Sequence, residues 1–518
     1  MKYVSVEEMI AIEEEADASG HTYARMMEHA GKGLAEVIHG EYGAREEASV
    51  LALVGSGNNG GDALVALDYL AGWGWKVTAL ILRAREEDDP LVARVRKAGG
   101  KIKEWQEDWN AGDVRDLLSA NDVLVDGVLG TGIHLPVRGE LGDRMALLRH
   151  TLEDLEPRPA VVAVDCPSGV DTDSGQVDKV CIPADITVTM AAVKQGLLKF
   201  PAFRVLGDLR LVDIGLPDGL GAYESIRREV VGRSWVKEVL PDRPLNSHKG
   251  TFGTALIVAG SRPFTGAAVL CGRGAYRAGA GLVTLAVPEP LHAILAGNLA
   301  ECTWLPLPHE DGFISRKALD VILNNLDGVS SLVVGPGFGT METTGTLLIY
   351  LLQQNKLPPV VIDADGLKLL SEEGDWAERI AAPAVLTPHP GEMSVMTGLS
   401  THEIQSDRVN IAEDYARQWG HVVVLKGAHT VIASPRGETK ILPLATSALA
   451  SAGTGDVLAG VIAGLMAQGM PPFQAAAAGA WLHAQAGIAA ADRLGNPASV
   501  MAGDVVHSLV DVFNWVVK

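Results

Sequence analysis

The chain has 518 residues, a formal net charge of −21 and an apolar share of 47%. Its length exceeds what one ordinary hydrophobic core holds, so we expect more than one domain. The negative charge argues against general binding to nucleic acid or to anionic membrane surfaces, and the apolar content argues against a disordered chain.

The cysteines and the first residues predict the cellular compartment. Four cysteines at irregular spacing make no disulfide framework, which favours the reducing cytoplasm. The segment 1–20 is acidic, whereas a signal peptide needs a basic start and an apolar centre. We therefore expect a cytoplasmic protein that does not enter a membrane.

The first half of the chain predicts a helical start followed by alternating strands and helices. Apolar residues recur three and four positions apart over 5–40, which is typical of helices packed on a core. Apolar runs without alternation then indicate strands buried on both faces, as in a parallel sheet. The predicted strands are 50–54, 77–82, 122–125, 160–164 and 186–189, with helices between them, for example at 62–72 and 139–150.

Glycine and proline interrupt this pattern between 215 and 250, where we place a domain boundary. A second β/α series follows, so the predicted fold class is α/β in two domains. Its predicted elements are strands at 255–259, 282–287, 332–334, 360–362, 385–387 and 422–425, a hairpin of 430–433 with 439–442, and helices near 455–469, 472–491 and 501–517.

Three polar loops follow predicted strands of the first half. Residues 55–62 read GSGNNGGD, and we expect Asp62 to cap the helix that follows; residues 126–132 and 165–171 follow later strands. Loops after parallel strands meet at one edge of a sheet, so Asn59, Asp126, Asp165 and Ser168 should converge. This oxygen-rich set suits a hard cation and a carboxylate base.

Glycine loops follow predicted strands in the second half as well. Residues 452–456, AGTGD, precede an apolar helix, so their N–H groups would bind an anion and Asp456 would accept a proton from a hydroxyl. The loops 335–339, 388–392 and 426–430 lie after other strands. The sequence has no Walker P-loop, so a nucleotide would need another binding scheme.

With these motifs the chain closely resembles the bifunctional NAD(P)H-hydrate repair enzymes over nearly its whole length. Residues 58–62 and 165–169 and the Asp126 loop resemble the epimerase domain, and residues 248–253, 335–337, 389–392, 426–428 and 453–456 resemble the dehydratase domain. The resemblance implies an epimerase domain over 1–222 with a Rossmann-like three-layer sandwich. It also implies a ribokinase-like dehydratase domain over 223–518.

For the first domain, the resemblance implies that Asp165 is the acid/base for epimerisation at C6 of the hydrated nicotinamide ring. It implies a potassium ion held by Asn59, Asp126 and Ser168. The implied hydrate-binding residues are Asn58, Asn59, Gly60, Gly61, Asp62, Gly130, Thr131, Gly132, Ile133, His134, Leu135, Pro136 and Asp165.

For the second domain, the resemblance implies that Asp456 deprotonates the C6 hydroxyl, which a nucleotide phosphorylates before phosphate leaves. Ala267, Gly337, His389 and Asp456 would contact the hydrate. The implied nucleotide-binding residues are Lys426, Gly427, Ala428, His429, Thr430 and Gly455. The donor would be ADP in preference to ATP, with magnesium, and the side chains of 446–451 receive no role.

The implied partners are the hydrates of NADH and NADPH and further copies of the chain in a homo-oligomer, without nucleic acid or membrane. Three alternatives stay open at this point. One is a ribokinase-type small-molecule kinase, because a GTGD base serves alcohol phosphorylation equally well. Another is an N-terminal half that only senses nucleotides. The third is a Rossmann dehydrogenase, which would need an acidic residue at the end of the second strand to bind the ribose. Arg83-Ala84-Arg85 follows that strand instead, which disfavours this alternative, although Glu86 and Glu87 come soon after.

Overall fold

A computed structural model describes residues 1–44 and 47–518, which form two compact units, 1–228 and 229–518. Each unit is an α/β structure, so the predicted class is confirmed. The predicted domain boundary between residues 222 and 223 lies inside a short helix, Gly221–Ser225, and stays a prediction.

The first unit is built on a seven-stranded sheet in which all paired strands are parallel. The strands of the unit are β1 (Tyr3–Val4), β2 (Ser49–Val54), β3 (Lys76–Ile81), β4 (Lys101–Glu104), β5 (Val123–Gly127), β6 (Ala160–Val164), β7 (Ile186–Met190), β8 (Val193–Lys194) and β9 (Asp208–Val212). The order in the sheet is β4-β3-β2-β5-β6-β7-β9, and β1 pairs separately with β8.

Helices cover both faces of this sheet, and apolar side chains fill one core on each face. The result is the predicted three-layer sandwich. The helices are α1 (Val6–Ala18), α2 (Tyr23–Tyr42), α3 (Asn58–Gly72), α4 (Pro90–Lys97), α5 (Ala111–Ser119), α6 (Gly139–Glu153) and α7 (Gly221–Ser225).

The strand order of the first unit reverses between β2 and β5. Val54 lies opposite Gly127 in the register, and the Gly55 N–H donates to the Gly127 carbonyl at 3.1 Å. The loops that follow these two strands therefore leave the sheet side by side. Ligands of open parallel sheets bind at such a reversal, so the fold itself brings the polar loops of the first half to a crevice.

The second unit contains a ten-stranded sheet whose strand pairs from β13 through β19 are parallel, whereas β19–β20 and β20–β21 are antiparallel. The strands are β10 (Arg228–Val230), β11 (Thr254–Val258), β12 (Leu282–Pro288), β13 (Thr303–Leu307), β14 (His309–Glu310), β15 (Phe313–Ile314), β16 (Ser331–Val334), β17 (Val360–Ile362), β18 (Ala384–Leu386), β19 (Val422–Leu425), β20 (Val431–Ala433) and β21 (Thr439–Ile441). The order is β10-β21-β20-β19-β18-β17-β16-β11-β12-β13, and β14 pairs with β15.

Helices again cover both faces, with an apolar core on each side. The helices are α8 (Arg233–Val239), α9 (Gly266–Arg277), α10 (Glu289–Leu295), α11 (Ala318–Leu323), α12 (Glu342–Leu352), α13 (Asp365–Ser371), α14 (Pro390–Thr397), α15 (Thr401–Ser406), α16 (Arg408–Trp419), α17 (Thr454–Ala467), α18 (Pro472–Leu494) and α19 (Ala502–Val517). The order of this sheet reverses between β11 and β16, where the Gly260 N–H donates to the Pro336 carbonyl at 2.8 Å.

The predicted central strands are confirmed, whereas the edge strands β4 and β13 were missed. β4 reads KIKE and is mostly exposed, and β13 carries Pro306, so neither contains the buried apolar run that marks a central strand. None of the helices in the described part of the chain combines the length and the hydropathy needed to span a bilayer.

Candidate active sites

The candidate base of the first unit, Asp165, is a buried carboxylate held by three donors. It follows β6 at φ +64°, a backbone region that side chains other than glycine rarely adopt and that often marks a functional position. Its Oδ1 accepts from the Thr189 hydroxyl and the Met190 N–H, both at 3.0 Å, and from the Lys194 ammonium. All three donors reach the same oxygen.

Lys194 is the functional candidate that sequence reasoning missed in this unit. Its side chain is 2% exposed, and its ammonium pairs with Asp165 and also donates to the Met190 carbonyl at 2.8 Å. A lysine buried this deeply needs a counter-ion. The signal was present in the sequence, since Lys194 directly follows an apolar run, but nothing there showed which carboxylate it meets.

The prediction that Asp62 caps helix α3 is wrong. The helix begins four residues earlier, at Asn58, with Gly57 as its N-cap and no side-chain cap. The glycines of the motif explain the early start: a Cβ on Gly60 would lie 2.2 Å from the Gly55 carbonyl oxygen. Asp62 therefore sits one turn inside the helix, with its carboxyl free for a site.

The Asp62 carboxyl lines a small cavity of about 70 Å³ together with Glu13, Asn58 and Met190. Burial is the main cause that raises the pKa of Asp62 well above its usual range, and repulsion from Asp165 and Glu13 adds to it, while Lys194 opposes it. Burial also raises the pKa of Glu13. The site thus combines a carboxylate in a direct ion pair with a carboxyl whose pKa is raised by burial.

A second cavity of about 340 Å³ lies where the loops after β2 and β5 meet. The loop after β5 then continues through the predicted residues His134, Leu135 and Pro136 to Val137, whose N–H donates to Asp178 at 2.8 Å. The predicted hydrate-binding residues that line the cavity are Asn58, Asn59, Gly130, Thr131, Gly132 and Ile133. Gly130 is required there, since a Cβ would lie 2.2 Å from the Asn59 side-chain oxygen.

The three predicted cation ligands come together beneath this cavity. Asp126 is fully buried; its Oδ1 accepts from the Ser168 hydroxyl at 2.5 Å and its Oδ2 from the Ser168 N–H at 2.8 Å. The Asn59 amide donates to the Val164 carbonyl at 2.5 Å and lies beside the same loop. Burial raises the pKa of Asp126 despite these bonds.

This donor set fits a hard cation. Within residues 1–44 and 47–518, no lysine, arginine or histidine pairs with Asp126, so its buried charge lacks a counter-ion. The described residues also contain no group of three or more histidine, cysteine or acidic side chains that could hold a metal. A cation here would depend on one carboxylate with hydroxyl and amide oxygens, a set that favours a hard ion.

The candidate base of the second unit, Asp456, lies in the first turn of α17. The helix begins at Thr454 after Gly453, whose φ is +88°. A Cβ on Gly455 would lie 3.5 Å from the Lys426 ammonium, so the bare backbone leaves space beside that cation. The helix N-terminus, the glycine and the lysine together make a cradle for an anion.

Lys426 is buried and paired, in contrast to the exposed lysine that is the common case. Its ammonium lies 2.8 Å from Asp363 and 3.7 Å from Glu392, and the Thr387 hydroxyl donates to Asp363 at 2.6 Å. Burial alone lowers the pKa of Lys426, but Asp363 and Glu392 outweigh burial and raise it. Sequence reasoning assigned no role to Asp363, although it directly follows strand β17.

The electrostatic environment of Asp456 differs from that of an ordinary surface carboxyl. Burial is the main cause that raises the pKa of Asp456 to about 7; Asp363 adds repulsion, and Lys426 partly opposes it. A carboxyl with a pKa near neutrality serves well as a general base. His483 is also buried close by, and burial lowers its pKa to about 4, so its ring is neutral at pH 7.

A cavity of about 450 Å³ opens beside this cluster. Most predicted nucleotide-binding residues line it, whereas His429 is turned toward the Leu442 carbonyl, 3.3 Å from its Nδ1. The segment 446–451, which has no predicted role, forms part of the cavity wall. Residues that line the cavity include His389, Lys426, Gly427, Ala428, Thr430, Thr446, Leu449, Ala450, Ser451, Gly455 and His483.

The predicted hydrate contacts of the second unit lie at the edge where its strand order reverses. Gly337 has φ +65°, and a Cβ on it would lie 2.8 Å from Ala267 Cβ, so these two residues are neighbours. His389 lies on the other side of the cluster and caps α14, accepting from the Gly391 and Glu392 N–H groups at 3.0 and 3.2 Å. Its capping role is compatible with its place in the cavity wall.

Two family models match this chain in the order of its two units. One described as YjeF-related protein N-terminus matches residues 23–196, and one described as NAD(P)H-hydrate dehydratase matches residues 255–508. Both matches lie within single units of the structure.

Relatives match the chain over almost its full length. The bifunctional NAD(P)H-hydrate repair enzyme Nnr of Moorella thermoacetica is 40% identical, with 93% of this chain and 91% of the relative covered. The enzyme of the same name from Escherichia coli is 33% identical, covering 97% and 92%. A solved structure of an ADP/ATP-dependent NAD(P)H-hydrate dehydratase from Bacillus subtilis, co-crystallized with ATP/Mg2+, is 32% identical, covers 56% of this chain and 98% of its own, and has a TM-score of 0.49.

Proposed function

This chain belongs to the family of bifunctional NAD(P)H-hydrate repair enzymes, and on that basis we propose how its two sites divide the repair reaction. The first unit epimerises the hydrates of NADH and NADPH at C6, and the second dehydrates the S form. The observation that carries the proposal is that each unit places a candidate proton carrier among its glycine loops: Asp165 is buried directly after β6, and Asp456 lies in the first turn of α17.

In the first unit we assign the proton transfers of epimerisation to Asp165. Support comes from its three donors on Oδ1 and from its place next to the loops after β2 and β5. Asn58 and the loop of Gly130 to Ile133 line a cavity of about 340 Å³, which we assign to the hydrate. Their amide and backbone groups are suited to hold a polar ring and its ribose.

We assign a potassium ion to Asn59, Asp126 and Ser168. The support is the uncompensated buried charge of Asp126 and the oxygen donors around it. A bound cation supplies positive charge to a unit whose loops must receive an anionic dinucleotide. It also neutralises Asp126 and so stabilises the ordered arrangement of the loops after β5 and β6.

In the second unit Asp456 takes the proton from the C6 hydroxyl. The nucleotide supplies the phosphoryl group that converts this hydroxyl, a poor leaving group, into a phosphate that departs readily. Lys426 and the N–H groups at the start of α17 neutralise the charge that develops on the transferring group. The pKa of about 7 for Asp456 supports this role, because the carboxylate is then available as a base near neutral pH.

We assign Lys426, Gly427, Ala428, His429, Thr430 and Gly455 to the nucleotide, which we propose to be ADP in preference to ATP, with magnesium. The Bacillus subtilis dehydratase was co-crystallized with ATP/Mg2+, which supports a nucleotide in this place without choosing the donor. Ala267, Gly337 and His389 are assigned to the hydrate. A homo-oligomer in the cytoplasm remains part of the proposal.

The test follows the absorbance of the reduced nicotinamide ring after the hydrates are mixed with the intact protein. We expect absorbance to return with ADP and, more slowly, with ATP, and the full mixture of epimers to be consumed. A phosphorylated hydrate that accumulates while absorbance stays flat would favour the small-molecule kinase. Parallel reactions with and without potassium test the cation.

A further inference from the structure

Three carboxyl groups of the first unit interact with the Lys194 ammonium: Asp165 and Asp62 are buried, and Glu13 is half-buried. Asp165, Asp62 and Glu13 act on one another electrostatically, and Lys194 is the lysine that acts on both Asp62 and Glu13. Lys194 itself is committed to Asp165 by a direct ion pair. Because this one cation is paired with Asp165, the buried Asp62 has no ion-pair partner of its own among the described residues, and burial disfavours the charged form of such a carboxyl.

Asp165 is the member that pairs directly with the cation, and one of its oxygens remains available. Thr189, Met190 and Lys194 all donate to Oδ1. Within residues 1–44 and 47–518 no donor reaches Oδ2. Hydrogen bonds to the charged form of a carboxylate favour that form, so Asp165 is arranged as a base with one free lone-pair face.

Asp62 is arranged in the opposite way. It is 7% exposed and lines the small cavity with Glu13 and Met190, and no donor in the described ranges reaches either of its oxygens. The Met190 residue whose N–H binds Asp165 also lines this cavity, which links the two carboxyls through one wall. Burial without a donor favours the neutral acid, and burial is indeed the largest cause that raises the pKa of Asp62.

We propose that Asp62 is the catalytic acid that works with Asp165 in epimerisation, and that Lys194 is the positioning residue that holds Asp165 through its ion pair. The inference rests on the epimerase activity proposed above and adds the second proton carrier that the reaction needs. Two titratable groups whose surroundings separate their protonation states make an acid/base pair.

In the direction considered, the reaction starts with Asp62 protonated. Asp62 gives its proton to the C6 hydroxyl oxygen, and the C6–O bond breaks as its electron pair leaves with water. The N1 lone pair forms the C6=N1 bond, giving an iminium cation. Water then adds its oxygen to the other face of C6, Asp165 takes the proton that this water loses, and the C6=N1 pair returns to N1.

The net change is inversion at C6, with one water lost and one gained and one proton moved from Asp62 to Asp165. Solvent returns that proton to Asp62, or the reverse reaction uses it. A cluster rich in carboxylates stabilises the cationic iminium by electrostatics, whereas it would destabilise an alkoxide.

The test compares Asp62→Asn with Asp68→Asn in the full-length protein. Asp68 lies on the same helix, where its carboxylate pairs with Arg94 at 2.7 Å, so the control makes the same chemical change outside the cluster. We expect kcat for epimerisation to fall by about 10²-fold or more in Asp62→Asn with KM little changed, and to stay near the intact value in Asp68→Asn. Dehydration of the pure S hydrate by the same preparations should be unaffected, which confines the change to the first unit, and the unchanged KM for epimerisation shows that this unit is folded and binds its substrate.

The pH profile adds a readout that a structural role would not change. In the intact protein, epimerisation should slow as pH rises through the elevated pKa of Asp62, and this alkaline decline should vanish in Asp62→Asn. The other titratable groups that face Asp62 are Glu13 on α1, Tyr23 on α2, Asp165 after β6 and Lys194 in β8. The slow residual reaction of the variant should keep any decline caused by those groups.

Water labelled with heavy oxygen tests the proposed step directly. Each epimerisation by the intact protein should place one solvent oxygen at C6. Inversion without solvent oxygen, a normal kcat in Asp62→Asn, or a change in KM alone would overturn the inference. An intact protein that dehydrates the S hydrate but does not interconvert epimers would instead overturn the proposed epimerase function, so the two failures are distinguishable.

Discussion

The two sites hold their central carboxylates by contrasting means. In the first unit the lysine binds the candidate base itself, since Lys194 pairs directly with Asp165. In the second unit the lysine is one residue removed: Lys426 pairs with Asp363 at 2.8 Å and acts on Asp456 only from a distance. The same pair of residue types thus gives one carboxylate in a direct ion pair and one carboxyl whose pKa is raised to about 7.

This difference matches what each site must do. Epimerisation needs a group to receive a proton and another to give one; the first unit holds Asp165 in an ion pair and buries Asp62, the proposed acid, without one. Phosphoryl transfer needs positive charge near the entering phosphates. In the second unit the Lys426 ammonium lies 3.5 Å from where a Cβ on Gly455 would be, and it pairs with Asp363 instead of with the base Asp456. In both units the strand order reverses at the site, so similar sheets present different chemistry through their loops.

The largest expected effect separates the two sites completely. Asp456→Asn removes the base of the second unit, and we expect dehydration of the S hydrate to slow by about 10³-fold while epimerisation is unchanged. Absorbance of the reduced ring measures the first activity, and separation of the two epimers measures the second. Asp492→Asn, an exposed position on α18, is the matched control; equal losses in both variants would contradict the assignment.

The converse substitution should give a smaller but equally selective effect. Asp165→Asn keeps the shape of the side chain but removes the charge that Lys194 holds, so epimerisation should fall by about 10²-fold with dehydration intact. Given the mixed hydrates and a nucleotide, the variant should consume the S form and then stall. The control is Asp154→Asn at the exposed end of α6; if Asp165→Asn itself converts both epimers at the normal rate, its role is disproved.

The rate of dehydration in the second unit should depend on pH through Asp456. The pKa of Asp456 is raised to about 7, and the base works as a carboxylate, so the rate should fall by about tenfold per unit below that pH and level off above it. Lys426 lowers the pKa of Asp456, so Lys426→Met should move the midpoint of the profile to higher pH in addition to weakening nucleotide binding.

The exposed lysine in Lys356→Met is the control for this shift and should leave the midpoint in place. A midpoint that stays fixed when Lys426 is removed would show that another group limits the rate. Measurements of kcat and of kcat/KM across the same pH range distinguish a shift in the base from weaker binding of the nucleotide.

The smallest expected effect is that of potassium, and it should be confined to the first unit. Replacing potassium with a large organic cation should slow epimerisation severalfold. Proton transfer by Asp456 in the second unit should be unaffected. Asp126→Asn should remove the response to potassium, because the buried charge that calls for the ion is gone. A response that persists in the variant would place the ion elsewhere.

The sequence predicted the central strands and the loops that follow them well, because buried parallel strands are continuous apolar runs and their loops meet at one edge. In this way the loops of Asp126 and Ser168 were expected to meet, and these two side chains do form a hydrogen bond, while the roles assigned to Asp165, Asp126 and Ser168 stay predictions. The edge strand β4 was missed because its residues are charged and exposed, so it lacks the pattern that identifies a strand.

Contacts between distant segments could not be predicted from local pattern. Lys194 meets Asp165 across 29 residues and Lys426 meets Asp363 across 63, and only the folded sheet brings them together. The start of α3 was also misjudged, since the close approach of Gly60 to the Gly55 carbonyl, rather than a capping side chain, sets where the helix begins. That error placed Asp62 at the start of the helix, whereas it lies one turn inside.

If the two carboxylate sites act independently and in sequence, two variants that each lack one site should complement each other when mixed. Asp165→Asn and Asp456→Asn are each given the mixed hydrates with a nucleotide, alone and together, against an enzyme-free blank for uncatalysed epimerisation. We predict that the first variant alone stops after the S form, that the second alone restores almost no reduced nicotinamide, and that the mixture converts both epimers completely. A mixture that stalls where Asp165→Asn alone stalls would contradict the account.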